Sequence, residues 1–128
     1  MKTIIQKVER RQNPRFKVQG MVIAVSHPNS LSPGSIKEIS RSGLVFQYGE
    51  NGNDWMIPQE LDIIWTDYVV THCLERIPVR IISDASIRKK RKNNDSGTRR
   101  QALAFDNLTL QQENQLERLI QARGSVPL

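Results

Sequence analysis

The sequence has few of the residues that form disulfides or bind metals. Cysteine occurs once, at position 73, and histidine only at positions 27 and 72. A single cysteine excludes an intramolecular disulfide and fits a reducing compartment. His72 and Cys73 are neighbours, and neighbouring side chains on a strand face opposite ways, so they make a poor metal pair. We therefore predict no metal site.

Long apolar runs are also missing. The N-terminus, Met1-Lys-Thr-Ile-Ile-Gln-Lys7, lacks the apolar stretch of a secretion signal. No run approaches the length of a membrane span. We therefore expect a cytoplasmic protein.

Aromatic residues are scarce, at 5% of the chain within a hydrophobic content of 38%. The core must be built mostly from isoleucine, valine and leucine, which favours β structure. Binding of single-stranded nucleic acid needs aromatic side chains among basic ones, and Trp55 and Trp65 lie apart from the basic tract. A nucleic-acid-binding barrel is therefore a less favoured alternative.

Positive charge is abundant by contrast, with 19 lysines and arginines against 13 acidic residues and a net charge of +6. Anions are therefore the first partners to consider: nucleic acid, an anionic membrane or a phosphorylated small molecule. No Ser/His/Asp or Cys/His pairing and no phosphate-cradling glycine loop accompanies this charge. We predict a binding protein and not an enzyme.

Alternating apolar residues predict short strands, and turn residues separate them. Gly20 lies where the alternation of the first strand changes parity and predicts a β-bulge, while Pro78 predicts that part of the fifth strand is an edge. Residues 26–34 and 49–53 are predicted as loops, and the basic segment 88–100 as a mobile hairpin loop too charged to pack. The predicted strands are 16–25, 35–40, 43–48, 61–65, 77–81 and 101–105.

One helix is predicted at the C-terminal end. Thr109 with Gln112 forms a capping box, and Arg123-Gly124 ends the helix. Its apolar stripe is Leu116, Leu119 and Ile120. These elements predict a mainly β protein, a small antiparallel barrel with a helix packed on it. The domain boundaries are an N-terminal arm at 1–15, the barrel at 16–107 and the helix at 108–123.

Two short motifs carry the functional prediction. The arm contains Arg11-Gln-Asn-Pro-Arg15, an RxxxR spacing preceded by Arg10, directly before the first strand. The second motif is Glu38-Ile-Ser-Arg-Ser-Gly43. With the strand order and the tail that begins at Phe105, they resemble a PilZ domain over about residues 9–120.

The resemblance implies a six-stranded antiparallel β-barrel that binds the bacterial second messenger cyclic di-GMP without a cofactor. It implies that the ligand-binding residues are Arg10, Arg11, Arg15, Glu38, Ser40 and Gly43. The family's second motif usually begins with Asp or Asn, so Glu38 is a departure, whereas Ser40 and Gly43 match. An arginine in the position of Arg10 is associated in the family with capture of an intercalated ligand dimer.

These residue types suit that ligand. Arginine pairs bidentately with phosphate oxygens and with the O6/N7 edge of guanine, and it stacks on purines. Strand alternation is expected to put Glu38 and Ser40 on one face and Ile39 in the core. Glu38 can then accept guanine N–H groups and Ser40 can donate to phosphate. Gly43 is expected to take a positive φ that lets the backbone approach the ligand.

Two alternatives stay open at this point. Glu38 can instead pair with Arg11 or Arg15 and obstruct the site, in which case the chain is a degenerate PilZ domain that only binds protein. The arm arginines can also form a merely solvated basic arm, and Gly43 can be a plain turn glycine. The expected partners are cyclic di-GMP and a downstream protein of unknown identity, without a membrane span; the oligomeric state is not predicted.

Overall fold

The computed structural model describes residues 13–27, 33–50, 57–67, 69–87 and 97–127. Within these ranges the chain forms strands and one helix, α1, at Leu110–Arg123. The strands are β1 Phe16–Val18, β2 Val22–His27, β3 Gly34–Ile39, β4 Gly43–Glu50, β5 Glu60–Thr66, β6 Thr71–Ile87, β7 Gly97–Phe105 and β8 Gly124–Pro127.

Six of the strands close into an antiparallel barrel. Their order is β2-β5-β6-β7-β4-β3, and β3 pairs back with β2. β1 pairs with β3, and β8 pairs with β1. The predicted six-stranded barrel with a C-terminal helix is therefore confirmed.

The β-bulge predicted at Gly20 is instead a break, which divides the first predicted strand into β1 and β2. Gly20 has φ +81°, a left-handed conformation that glycine adopts at little cost. Both segments still run along β3, since Lys17 pairs with Glu38 and Ile23 pairs with Ser35. As a result, the start of β1 lies beside the end of β3 that carries the second motif.

The core consists mainly of aliphatic side chains from the barrel strands, as the composition predicts. Leu116, Leu119 and Ile120 of α1 are buried in the same cluster. The capping box of Thr109 and Gln112 is present. The predicted helix and its packing face are therefore confirmed.

The predicted edge position of the fifth strand is wrong. β6 lies between β5 and β7 and pairs with both. Pro78 is tolerated because it lies opposite Glu60, the first residue of β5, and the pairing with β7 begins one residue later at Val79. The missing N–H of proline therefore falls where both pairings begin or end.

Three predicted loops are shorter than expected. Residues 97–100 belong to β7 and pair with both β4 and β6, and residues 88–96 lie outside the described residues. Arg99 is accommodated on the strand because its Nε lies 2.7 Å from Asp84 Oδ1. Ser26, His27, Gly34, Gly49 and Glu50 are likewise strand residues, and 28–32 and 51–53 lie outside the described residues.

Candidate ligand-binding site

An open cavity lies on the surface of the barrel beside the β3–β4 turn. Its polar border includes Arg15 and Glu38, and its apolar wall includes Val45, Ile82 and Ala102. Leu44 and Phe46 fill the core, so alternation directs Val45 to the opposite face of β4. The cavity therefore combines charge with an apolar surface, as a binding site for an organic anion requires.

A β-bulge directs Glu38 toward this cavity. The pairing of β3 with β4 shifts register between Ile36 and Glu38, so Lys37 is an extra residue. Ile36 and Ile39 are both buried, although they differ in parity. Without the bulge, Glu38 would share the inward face of Ile36. The outward orientation expected for Glu38 is thus produced by an irregularity and not by simple alternation.

The carboxylate of Glu38 lies between two guanidinium groups. Its Oε1 is 3.5 Å from Arg15 Nη1, and its Oε2 is 3.0 Å from Arg100 Nη2. The Glu38 side chain is 20% exposed, against 41% for Arg15 and 36% for Arg100. The predicted pairing of Glu38 with an arm arginine is therefore present for Arg15.

Arg100 belongs to the basic segment predicted to be a loop. It lies on β7, where Gln101 and Leu103 are buried in the core and Ala102 borders the cavity. Extending this alternation backwards from Gln101 places Arg100 on the outer face with Ala102. This alternation is visible in the sequence, but the high charge of residues 88–100 led to the prediction of a loop.

The hydroxyl of Ser40 closes the turn between β3 and β4. Ser40 is 4% exposed, and its Oγ accepts from the backbone N–H of Ser42 at 3.1 Å and of Gly43 at 3.2 Å. Ser40 and Glu38 both border the cavity. The Ser40 hydroxyl is nevertheless engaged in the turn, because a tight connection leaves backbone N–H groups that need an acceptor.

The positive φ expected at Gly43 is wrong. Among the described glycines, Gly20 has a positive φ and Gly43 does not. Gly43 is the first residue of β4 and pairs with Ala104, and a Cβ on it would collide with the carbonyl oxygen of Leu103. Glycine is needed here because β7 passes too close for a side chain.

The turn is also joined to the helix. Arg41 Nε lies 2.9 Å from Glu117 Oε1, and Arg41 Nη2 donates to Glu117 Oε2 at 3.1 Å. This bidentate pair spans from the second motif to α1. It is a contact that motif spacing does not indicate.

Two predicted binding residues, Arg10 and Arg11, lie outside the described residues. Across the part of the chain that the structure describes, no group of three His, Cys, Asp or Glu side chains could hold a metal ion. No helix in that part is long and apolar enough to cross a membrane.

The family model of the PilZ domain matches residues 9–122 of this sequence. The chain therefore belongs to the PilZ domain family, as its two motifs indicated. No curated protein matches it significantly.

Solved structures share the fold. The PilZ domain of YcgR from Escherichia coli, solved with c-di-GMP, is 15% identical with a TM-score of 0.64, and the match covers 89% of this chain and 91% of that one. MrkH, a c-di-GMP-dependent transcription regulatory factor, is 15% identical with a TM-score of 0.62 over 89% of this chain and 51% of that one. The complex of K. pneumoniae MrkH with c-di-GMP is 16% identical with a TM-score of 0.64, covering 88% and 52%. This chain thus spans about half the length of MrkH.

Proposed function

We propose that this protein is a cytoplasmic receptor that binds cyclic di-GMP without chemically changing it. Membership of the PilZ family and the c-di-GMP-bound neighbours YcgR and MrkH support a receptor role. The single observation that carries the proposal is the position of Arg15, beside Glu38 and an apolar wall at one cavity.

The chemistry of the ligand matches these groups. Cyclic di-GMP presents phosphates and guanine edges, and a guanidinium group pairs bidentately with either. Arg15 is proposed to leave Glu38 for the ligand, and Glu38 Oε1 then accepts guanine N–H groups. The apolar wall of Val45, Ile82 and Ala102 offers a surface on which a purine ring can pack.

The arm of residues 1–15 is proposed to complete the site by ordering around the ligand. Its polar composition and Pro14 support this, because such a segment has little apolar surface to anchor it. Arg10 and Arg11 would then reach the ligand from the arm. Hydrogen exchange on residues 5–16 should slow when cyclic di-GMP is added. Equal and slow exchange in both states would contradict arm ordering.

The binding proposal is tested by calorimetric titration with cyclic di-GMP. Arg15→Ala should weaken binding roughly tenfold or more, because hydrogen bonds to charged groups contribute about 1.5–3 kcal/mol. Arg80→Ala is the matched control, since Arg80 Nε also lies near a carboxylate, 3.1 Å from Asp106 Oδ1, outside the residues that border the cavity. Its affinity should equal that of the wild type. A wild-type protein that gives no heat and no thermal shift at high ligand concentration refutes the proposal.

The second candidate function is that of a degenerate PilZ domain that acts as a protein–protein adaptor. The contact of Glu38 with Arg15 favours it, because it occupies an arginine that the ligand needs. Glu38→Ala distinguishes the two functions. If Glu38 only obstructs the site, this variant should bind cyclic di-GMP more tightly than the wild type. If Glu38 accepts guanine N–H groups, the variant should bind more weakly.

A further inference from the structure

Arg100 lies outside both PilZ motifs but contacts the second one through the carboxylate of Glu38. We infer that Arg100 is a positioning residue of the ligand site. It holds one oxygen of Glu38, so that the other oxygen and Arg15 are available to an anionic guanine nucleotide. This inference rests on the proposed function and adds a residue to its site.

The two contacts of Glu38 are unequal. The Arg100 contact, at 3.0 Å, has the usual length of a hydrogen bond, whereas the Arg15 contact, at 3.5 Å, lies at its outer limit. Arg15 can therefore exchange Glu38 for a phosphate at small cost, while Arg100 keeps the carboxylate in place. Two guanidinium groups around one carboxylate also leave a net positive charge, which favours an anion.

The reach of Glu38 explains why this contact forms. Glu38 pairs with Val45 of β4, and Val45 pairs with Ala102 of β7, so the ion pair with Arg100 passes over β4. Two inter-strand spacings amount to about 10 Å, which only two long side chains can span. Aspartate is one methylene shorter, and its carboxylate would end about 1 Å or more short of the present position. The glutamate found where the family usually has Asp or Asn is therefore matched to Arg100.

Removal of Arg100 should weaken ligand binding even if Arg100 never touches the ligand. The carboxylate of Glu38 would lose its closer partner and turn to Arg15, the other guanidinium group that contacts it among the described residues. An ion pair of that kind competes directly with the ligand phosphate for Arg15. The effect of Arg100 therefore passes through Glu38 and should disappear when Glu38 carries no charge.

A double-mutant cycle tests this directly. Cyclic di-GMP is titrated by calorimetry into wild type, Arg100→Gln, Glu38→Gln and the double variant, and thermal melting confirms that each is folded. Arg100→Gln should weaken binding roughly fivefold in the wild-type background, as expected for coupled residues in one network. In the Glu38→Gln background the same change should alter affinity less than about twofold. Arg80→Gln is the control and should leave affinity unchanged.

A second set of variants tests whether the length of the Glu38 side chain matters. Glu38→Asp should bind about as weakly as Arg100→Gln, and addition of Arg100→Gln to it should cost nothing further. A Glu38→Asp variant that binds like the wild type, and still responds to Arg100→Gln, overturns the argument from reach.

The remaining outcomes separate the inference from the proposed function. If the wild type binds and Arg100→Gln binds equally well, the inference fails and the function stands. If Arg100→Gln weakens binding equally in both backgrounds, Arg100 acts on the ligand directly and the positioning role is refuted. If the wild type does not bind cyclic di-GMP, the proposed function fails and the inference fails with it.

Discussion

Replacement of Ser40 by alanine separates a structural role of this motif serine from a role in ligand binding. The motif suggests a hydroxyl that donates to phosphate, whereas in the structure its oxygen accepts from the N–H groups of Ser42 and Gly43. Ser40→Ala removes that acceptor at a position that is 4% exposed. The turn that borders the cavity should then lose stability with or without ligand.

The expected magnitude follows from the two hydrogen bonds. Each contributes a net of about 0.5–1.5 kcal/mol, so their loss should lower the free energy of unfolding by about 1–3 kcal/mol. For a domain of this size, that corresponds to a fall in Tm of roughly 4–12 °C. Ser35→Ala is the control, because Ser35 is exposed on β3, the strand before the turn, and its loss should change Tm by much less.

Thermal melting without ligand is the decisive assay, and calorimetry with cyclic di-GMP complements it. Ser40→Ala should have a lower Tm than the wild type, and Ser35→Ala should have the Tm of the wild type. Equal melting of Ser40→Ala and wild type, combined with lost ligand binding, would refute the structural role of this hydroxyl. Ser40 would then be a direct ligand group, as the motif alone suggests.

Two further predictions concern the cavity wall and the acid stability of the barrel. Ile82 borders the cavity and is 63% exposed. Ile82→Ser should therefore weaken cyclic di-GMP binding by about 1 kcal/mol, or roughly fivefold, without lowering Tm. Ile87→Ser is the control and should leave the affinity unchanged. Equal affinity of Ile82→Ser and wild type would exclude the wall as a contact surface. For Asp62, burial acts to raise the pKa, but hydrogen bonds from the Arg76 backbone N–H and the His27 ring lower it below the ordinary 3.8. The carboxylate therefore stabilises the fold above pH 3.8, and this contribution is lost as the pH falls through the lower folded pKa. Urea denaturation should show that Asp62→Asn is less stable than wild type at neutral pH and equal to it in strong acid; a difference independent of pH would contradict this assignment.

Much of the barrel follows from local patterns. The alternation of apolar residues in 43–48, 61–65 and 101–105 places those strands because every second side chain must face the core. The capping box of Thr109 and the apolar stripe of the helix are equally local, since they depend on spacings of three and four residues. Gly20 indicated an irregularity in the first strand, and the chain breaks into β1 and β2 there, with a positive φ at Gly20.

The site depends on contacts between residues far apart in sequence. Motif spacing named Arg15 and Glu38 as binding residues, but their contact exists because Phe16 pairs with Ile39 where β1 meets β3. The expected positive φ of Gly43 was wrong because the constraint there is the backbone of β7, which comes from some sixty residues further on.

Arg100 shows the same limit most clearly. The sequence by itself determined a basic segment, and a charge run is ordinarily a solvated loop. Only the tertiary structure decided that part of this segment is a barrel strand, because its pairing with β4 and β6 and the carboxylate of Glu38 offset the cost of holding the charge there. Composition reports how many charges a segment carries, whereas the fold decides which opposite charges lie within reach of them.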